Sequence, residues 1–165
     1  MKRLTLVRHA KSSWKNAGLA DIDRPLSGRG KRDAPRMGAF LAEAGIVPDI
    51  ILVSPARRAR KTARLLAAAI PGAKERILFD PALYEASAAV LLERVRALDE
   101  AWQHVMLVGH NPGLTDFVNL LATAGVDNLP TCGTLVTDLD IGFWNTAGPA
   151  CGRRVFYVTP QELPG

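Results

Sequence analysis

Leu4-Thr5-Leu6-Val7-Arg8-His9 is a β-favouring apolar run that stops abruptly on a cation and an imidazole. A second run, His104-Val105-Met106-Leu107-Val108-Gly109-His110, empties into a histidine in the same way. Between them, short apolar runs alternate with helical periodicity, the pattern of a parallel sheet covered on both faces. In open sheets of that kind, ligands bind beyond the carboxyl ends of the strands. Each run therefore delivers a histidine to the ligand-binding edge. The expected fold class is α/β: a three-layer α/β/α sandwich with a mostly parallel central sheet and an antiparallel edge hairpin.

Working outward, Ser27 is expected to cap a helix carrying Met37, Phe40 and Leu41 on one face, which Gly45 ends. Asp49-Ile50-Ile51-Leu52-Val53 reads as the second strand. Ser54-Pro55 then reads as an N-cap and first-turn proline, opening a helix that Pro71-Gly72 stops. Ile77-Leu78-Phe79 is a short strand, followed by a loop holding Tyr84-Glu85 and a helix with Val90, Leu91, Val95 and Leu98. Asn111-Pro112 repeats the cap-plus-proline pattern before a helix around Phe117 and Leu121. Thr134-Leu135-Val136-Thr137-Asp138-Leu139 and Arg154-Val155-Phe156-Tyr157-Val158 form the expected hairpin.

At 165 residues the chain suits a single domain, residues 1–165, with one substantial core. Its 48% hydrophobic and 22% charged residues describe an ordered globular chain. No apolar run is long enough to span a membrane, and Arg8, His9 and Lys11 interrupt any signal-peptide core; the expectation is cytoplasmic. Cys132 and Cys151 lie in no metal-binding spacing and are expected to be reduced thiols. The net charge of +5 is uneven: residues 1–64 hold 15 Lys/Arg against 5 Asp/Glu, and residues 65–165 hold 6 against 11. The basic half suits an anionic ligand. Aromatics at 6%, with no recognition motif, argue against nucleic acid.

Three segments carry candidate chemistry: Arg8-His9; the cation-rich Ser54-Pro55-Ala56-Arg57-Arg58-Ala59-Arg60-Lys61-Thr62-Ala63; and Gly109-His110-Asn111-Pro112-Gly113. Cations in the first turns of a helix oppose its dipole, a placement that makes more sense if an anion is shared there. One strand-end histidine by itself is ordinarily structural, and His104, without a sequence partner, is expected to be exposed. Two such histidines with arginines around one point match a tetrahedral phosphoryl group, since arginine forks onto paired oxygens and a neutral imidazole attacks phosphorus.

Leu6-Val7-Arg8-His9-Ala10-Lys11-Ser12-Ser13-Trp14, Ser54-Pro55-x-x-Arg58-Ala59-x-x-Thr62-Ala63 and Val108-Gly109-His110-Asn111-Pro112 resemble the histidine phosphatase, or phosphoglycerate mutase-like, superfamily. Within it the compact SixA-type phosphohistidine phosphatases are the nearer likeness. Pro25-Leu26-Ser27-x-x-Gly30 and Thr159-Pro160-x-x-Leu163 extend the similarity over nearly the whole chain. One departure is Ala10, where the superfamily usually has glycine after Arg-His. The resemblance implies that His9 is a nucleophile that becomes phosphorylated. Arg8, Arg58 and His110 bind the phosphoryl oxygens with Ser12, and Arg57 is only a neighbour. The leaving-group acid it implies lies in the Leu83-Tyr84-Glu85 loop, making Glu85 the candidate and Asp23 the second choice. No metal or other cofactor is implied.

The implied partner is a phosphohistidine-bearing signalling protein or a small phosphoester, with inorganic phosphate as product. Competing readings are a small-molecule phosphomonoesterase, a non-catalytic docking module, and a metallohydrolase built on His9 and His110. The docking module leaves a nucleophile without a purpose, and the metallohydrolase lacks a third ligand at close spacing.

Overall fold

Four apolar runs lie side by side in parallel: β1 (Lys2–Arg8), β2 (Ile50–Val53), β3 (Ile77–Phe79) and β4 (His104–Gly109). β5 (Thr134–Leu139) adds antiparallel to β1, and β6 (Gly152–Val158) antiparallel to β5. The sheet order is β3-β2-β4-β1-β5-β6. The computed structural model describes residues 1–123 and 125–164. Every residue of Ile50–Val53 is buried, which is why that strand reads as a continuous apolar run rather than an alternation.

Successive side chains leave a strand on opposite faces, and two cores result. Leu4, Leu6, Val105 and Leu107 face α3 (Ala88–Arg96) and α4 (Gly113–Ala122), meeting Leu91, Val95, Phe117 and Leu121. Val7, Ile51, Val53, Met106 and Val108 face α1 (Gly28–Glu43) and α2 (Arg57–Ala69), meeting Met37, Leu41, Ala59, Ala63 and Leu66. This is the expected three-layer sandwich. Ser27 caps α1 by accepting from the Gly30 amide at 3.2 Å, and Gly45 leaves that helix in the left-handed region at φ 77°.

The topology explains where a ligand would sit. β1 leaves toward β2 through α1 on one face, whereas its neighbour β4 leaves toward β5 through α4 on the other. Adjacent strands whose exits part in this way open a crevice at their carboxyl ends.

Three local expectations need correcting. Ser54-Pro55 does not cap α2: that helix begins at Arg57, with Ala56 as N-cap and no side-chain cap bond, because the Ser54 hydroxyl is engaged by His110 at 2.7 Å. Asn111 caps from one position further out than expected. Pro112, joined to it by a cis peptide bond, occupies the N-cap, while Asn111 Oδ1 accepts from the Thr115 amide at 3.1 Å and its hydroxyl at 2.8 Å. His104 is half-buried rather than exposed, its Nε2 2.8 Å from the Thr5 hydroxyl. Burial pushes its pKa down to about 4.

Candidate active site

The register pairs Arg8 with Gly109, so the next residue of each strand, His9 and His110, emerge side by side. Their ring centroids are 5.1 Å apart. The His9 amide donates to the Gly109 carbonyl at 3.1 Å, and the Cys132 amide donates to the Arg8 and His9 carbonyls at 3.0 and 3.1 Å. The Ala10 amide donates to the Thr62 hydroxyl at 2.9 Å, which donates to the Arg58 carbonyl at 2.7 Å. That chain of bonds ties the exit of β1 to the first turn of α2 and fixes Arg58 relative to His9.

His9 is 6% exposed. Burial, partly offset by the hydrogen bond to Ala10 and reinforced by His110, Arg58 and Arg8, pushes its pKa down to about 3. The ring is therefore neutral at physiological pH. Its Nδ1 lies 2.7 Å from the Ala10 carbonyl, which only accepts, so the proton resides on Nδ1 and the lone pair on Nε2. His110 is likewise held neutral, its pKa pushed down to about 4 by burial and then by Arg58. Its Nε2 pairs with Ser54 and its Nδ1 is buried without a hydrogen-bond partner.

Asp21 organises the cations. Its backbone carbonyl and Oδ2 accept from the two terminal nitrogens of Arg58 at 2.7 and 2.9 Å, and Oδ1 accepts from Arg24 Nε at 3.2 Å. Tyr84 donates to Oδ2 at 2.6 Å. The Tyr84 hydroxyl first, then the Arg58 and Arg24 guanidiniums, hold this carboxyl well below the usual carboxylate range. The same bond pushes Tyr84 up to about 12. Arg24 also donates to the Ser12 hydroxyl at 2.8 Å and stacks 3.5 Å over the ring of the exposed Trp14. Arg8 is anchored by the Leu129 carbonyl at 3.0 Å, and burial together with nearby Arg58 lowers its pKa. Arg8, Lys11, Arg24 and Arg58 outnumber the three carboxylates that line the cleft, Asp21, Glu85 and Asp116, and the excess of positive charge suits an anion.

Arg8, His9, Ser12, Arg58, Glu85 and His110 all line one cleft of about 650 Å³. Asp23, the second-choice acid, is not among the lining residues; the early-loop carboxylate that reaches the cleft is Asp21. Arg57 is exposed and lies in a neighbouring groove. Glu85 is held at φ 56°, where a side-chain-bearing residue costs roughly 1–2 kcal/mol. Gly113 explains how its loop comes so near: a Cβ there would lie 1.8 Å from the Ala86 carbonyl oxygen. Asp116, in the first turn of α4, adds a further carboxylate to the rim. Asp21, Arg24, Tyr84 and Ser54 escaped the sequence reading. Only Ser54 carried a signal there, as a cap.

The profile of the histidine phosphatase superfamily (branch 1) matches residues 4–113. An uncharacterized chloroplastic protein of Arabidopsis thaliana is 32% identical over 98% of this chain and 79% of its own.

The chain belongs to the histidine phosphatase superfamily. Another uncharacterized relative, from Mycobacterium tuberculosis (strain H37Rv), is 30% identical over 94% of this chain and the whole of its own. The crystal structure of a SixA described as a putative phosphohistidine phosphatase, from Agrobacterium tumefaciens, superposes with a TM-score of 0.83 at 29% identity, covering 96% of this chain and 98% of that one. The sandwich is thus the phosphoglycerate mutase-like fold of this superfamily. No helix among the described residues is long and apolar enough to cross a membrane.

Proposed function

We propose that residues 1–165 act as one domain, a metal-independent phosphatase that works through a phosphohistidine intermediate and removes phosphate from phosphohistidine on a signalling protein. The observation that carries this is His9: a neutral imidazole with its lone pair on Nε2, beside His110, in a cleft shared with Arg8 and Arg58. Arg8, Arg58 and His110 bind the phosphoryl oxygens, and Ser12 contributes directly or by holding Arg24. His9 Nε2 attacks phosphorus as the bond to the leaving group breaks, and the departing group takes a proton from Glu85 or from solvent. Water then attacks the phosphoenzyme, releasing inorganic phosphate and regenerating neutral His9. Charge spread over the equatorial oxygens is met by donors already in place, the main source of acceleration. The Ala56 amide donates to Ser54 Oγ at 3.3 Å, and we assign the serine's own proton to His110 Nε2, 2.7 Å away. The His110 proton is then on Nδ1, available to a phosphoryl oxygen.

A protein-borne substrate is supported by the exposed Trp14 on the lining of the cleft and by the likeness to the Agrobacterium SixA structure. Glu85 is the candidate acid, and its place on the cleft favours a second reading, a small-molecule phosphomonoesterase, because an alkoxide needs protonation more than an imidazole does. Phosphate release from a phosphohistidine peptide, a sugar phosphate and an aryl phosphate separates the two. The proposal expects the phosphohistidine peptide to be preferred, with Glu85→Gln leaving its turnover within a few-fold. A strong preference for the sugar ester, abolished by Glu85→Gln, would establish the second reading.

A further inference from the structure

Beside the phosphate cleft runs a second groove, of about 400 Å³, whose polar lining is entirely cationic: Lys31 from α1 and Arg57, Arg60, Lys61 and Arg64 from α2. The α2 cations are spaced i, i+3, i+4 and i+7, one stripe about 10 Å long on a single helix face. It contains like-charge pairs four residues apart, Arg57 with Lys61 and Arg60 with Arg64, each unfavourable in an isolated helix. The first turn carries no acidic residue to balance them. Among the described residues none of the five forms an ion pair, and Arg60 Nε is buried without a hydrogen-bond partner. Beyond the contact of Arg64 with the Phe79 ring, the fold gains nothing visible from this concentration of charge, so an anionic ligand is its physical rationale.

The groove shares no lining residue with the phosphate cleft, but Arg57 immediately precedes Arg58 and Pro25 immediately follows Arg24 in the chain, so its near end lies close to that cleft. At the far end Lys61 and Arg64 also line a shallower groove closed by Leu65, Ile77 and Phe79, and the Arg64 guanidinium lies 5.9 Å from the Phe79 ring. Phe79 and Leu78 are 45% and 48% exposed on β3, the outermost strand of the sheet.

We infer that this stripe is a docking groove for an acidic segment of the same protein whose phosphoryl group enters the His9 cleft. The inference rests on the protein-substrate reading above. A path about 10 Å long outreaches a second phosphate on a small metabolite. The apolar end at Leu65, Ile77 and Phe79 suits a side chain of a polypeptide. The cationic groove itself is lined by no aromatic side chain, and Phe79 at its far end is a single ring rather than the succession of stacking platforms that a nucleic-acid strand uses.

The test uses two phosphohistidine peptides of equal length, one flanked by Asp and Glu and one by Asn and Gln, with fluorescent unphosphorylated versions and free phosphohistidine. The variant is Lys61→Glu with Arg64→Glu, both exposed and outside the phosphate cleft. Wild type should bind the unphosphorylated acidic peptide on the order of tenfold more tightly than the neutral one at low salt. That preference should vanish in the variant and at high ionic strength. The acidic phosphopeptide should show a correspondingly lower KM with kcat unchanged, and free phosphohistidine should be turned over equally by both proteins. Equal binding of the two peptides, an undiminished preference in the variant, or displacement of the acidic peptide by a tighter-binding single-stranded oligonucleotide would overturn the inference. Acidic-peptide binding as described without hydrolysis of any phosphohistidine probe supports the groove's chemistry and overturns the substrate reading instead.

Discussion

Asp21 sets how the guanidiniums await an anion. It holds Arg58 through two acceptors and Arg24 through a third, and Tyr84 closes over it. Because it is nearly half exposed, solvent screening limits what its ion pair adds to stability. Its consequence is positional. Asp21→Asn keeps the shape and removes the charge, so Arg58 is less firmly held. Steady-state kinetics should show kcat/KM on the order of tenfold lower, with Tm nearly unchanged. Tyr84→Phe leaves both arginine contacts in place and should cost less. Arg58 was legible in the sequence because the spacing Ser54-Pro55-x-x-Arg58 resembles the superfamily's motif; helix-dipole electrostatics by themselves marked only the whole run of cations there. Asp21 was not, because one carboxylate in an irregular loop has neither periodicity nor spacing to mark it.

At the scale of elements, the start of α2 shows how local grammar misleads. Ser54-Pro55 has the form of an N-cap and first-turn proline, yet the helix begins two residues later and the serine turns to His110. The tertiary partner outcompetes the local one because His110 is buried and its Nε2 would otherwise go unpaired. Ser54→Ala distinguishes the two roles. A cap residue lost to alanine costs about 1 kcal/mol of stability with the chemistry intact. The orienting role predicts a fall in Tm as well, because the buried His110 Nε2 is left unpaired, and adds a reduction in kcat on the order of tenfold as His110 loses its fixed orientation. Thermal melts alongside single-turnover kinetics decide between them. Elsewhere the period-based reading held, as at Ile77–Phe79 and at the Ser27 cap, where no distant side chain competes.

For the molecule as a whole, the sheet order places the histidines together, and that order was the part least visible in the sequence. Strand ends can be read from apolar runs; the insertion of β4 between β2 and β1 is a long-range fact that no local pattern encodes. Burial has a global consequence as well. His9, His104 and His110 are depressed from 6.5 to about 3, 4 and 4. Below pH 6.5 the unfolded chain takes up protons that the folded one refuses. Stability is therefore full above that pH and falls as pH drops toward 4 and then 3. Denaturant midpoints in phosphate-free buffer should decline between pH 7 and 5. His104→Gln should flatten part of that slope without changing kcat, since His104 lies at the opposite end of β4 from the cleft. A flat profile in wild type would show that the histidines are not held neutral. The central claim, that His9 carries the phosphoryl group, is met most directly by rapid acid-free quenching of turnover with a radiolabelled phosphohistidine donor and mapping of the label. The account predicts one acid-labile, base-stable phosphoryl group per chain on His9, absent in His9→Ala together with turnover. Label on another residue, or His9→Ala turning over at the wild-type rate, would contradict it.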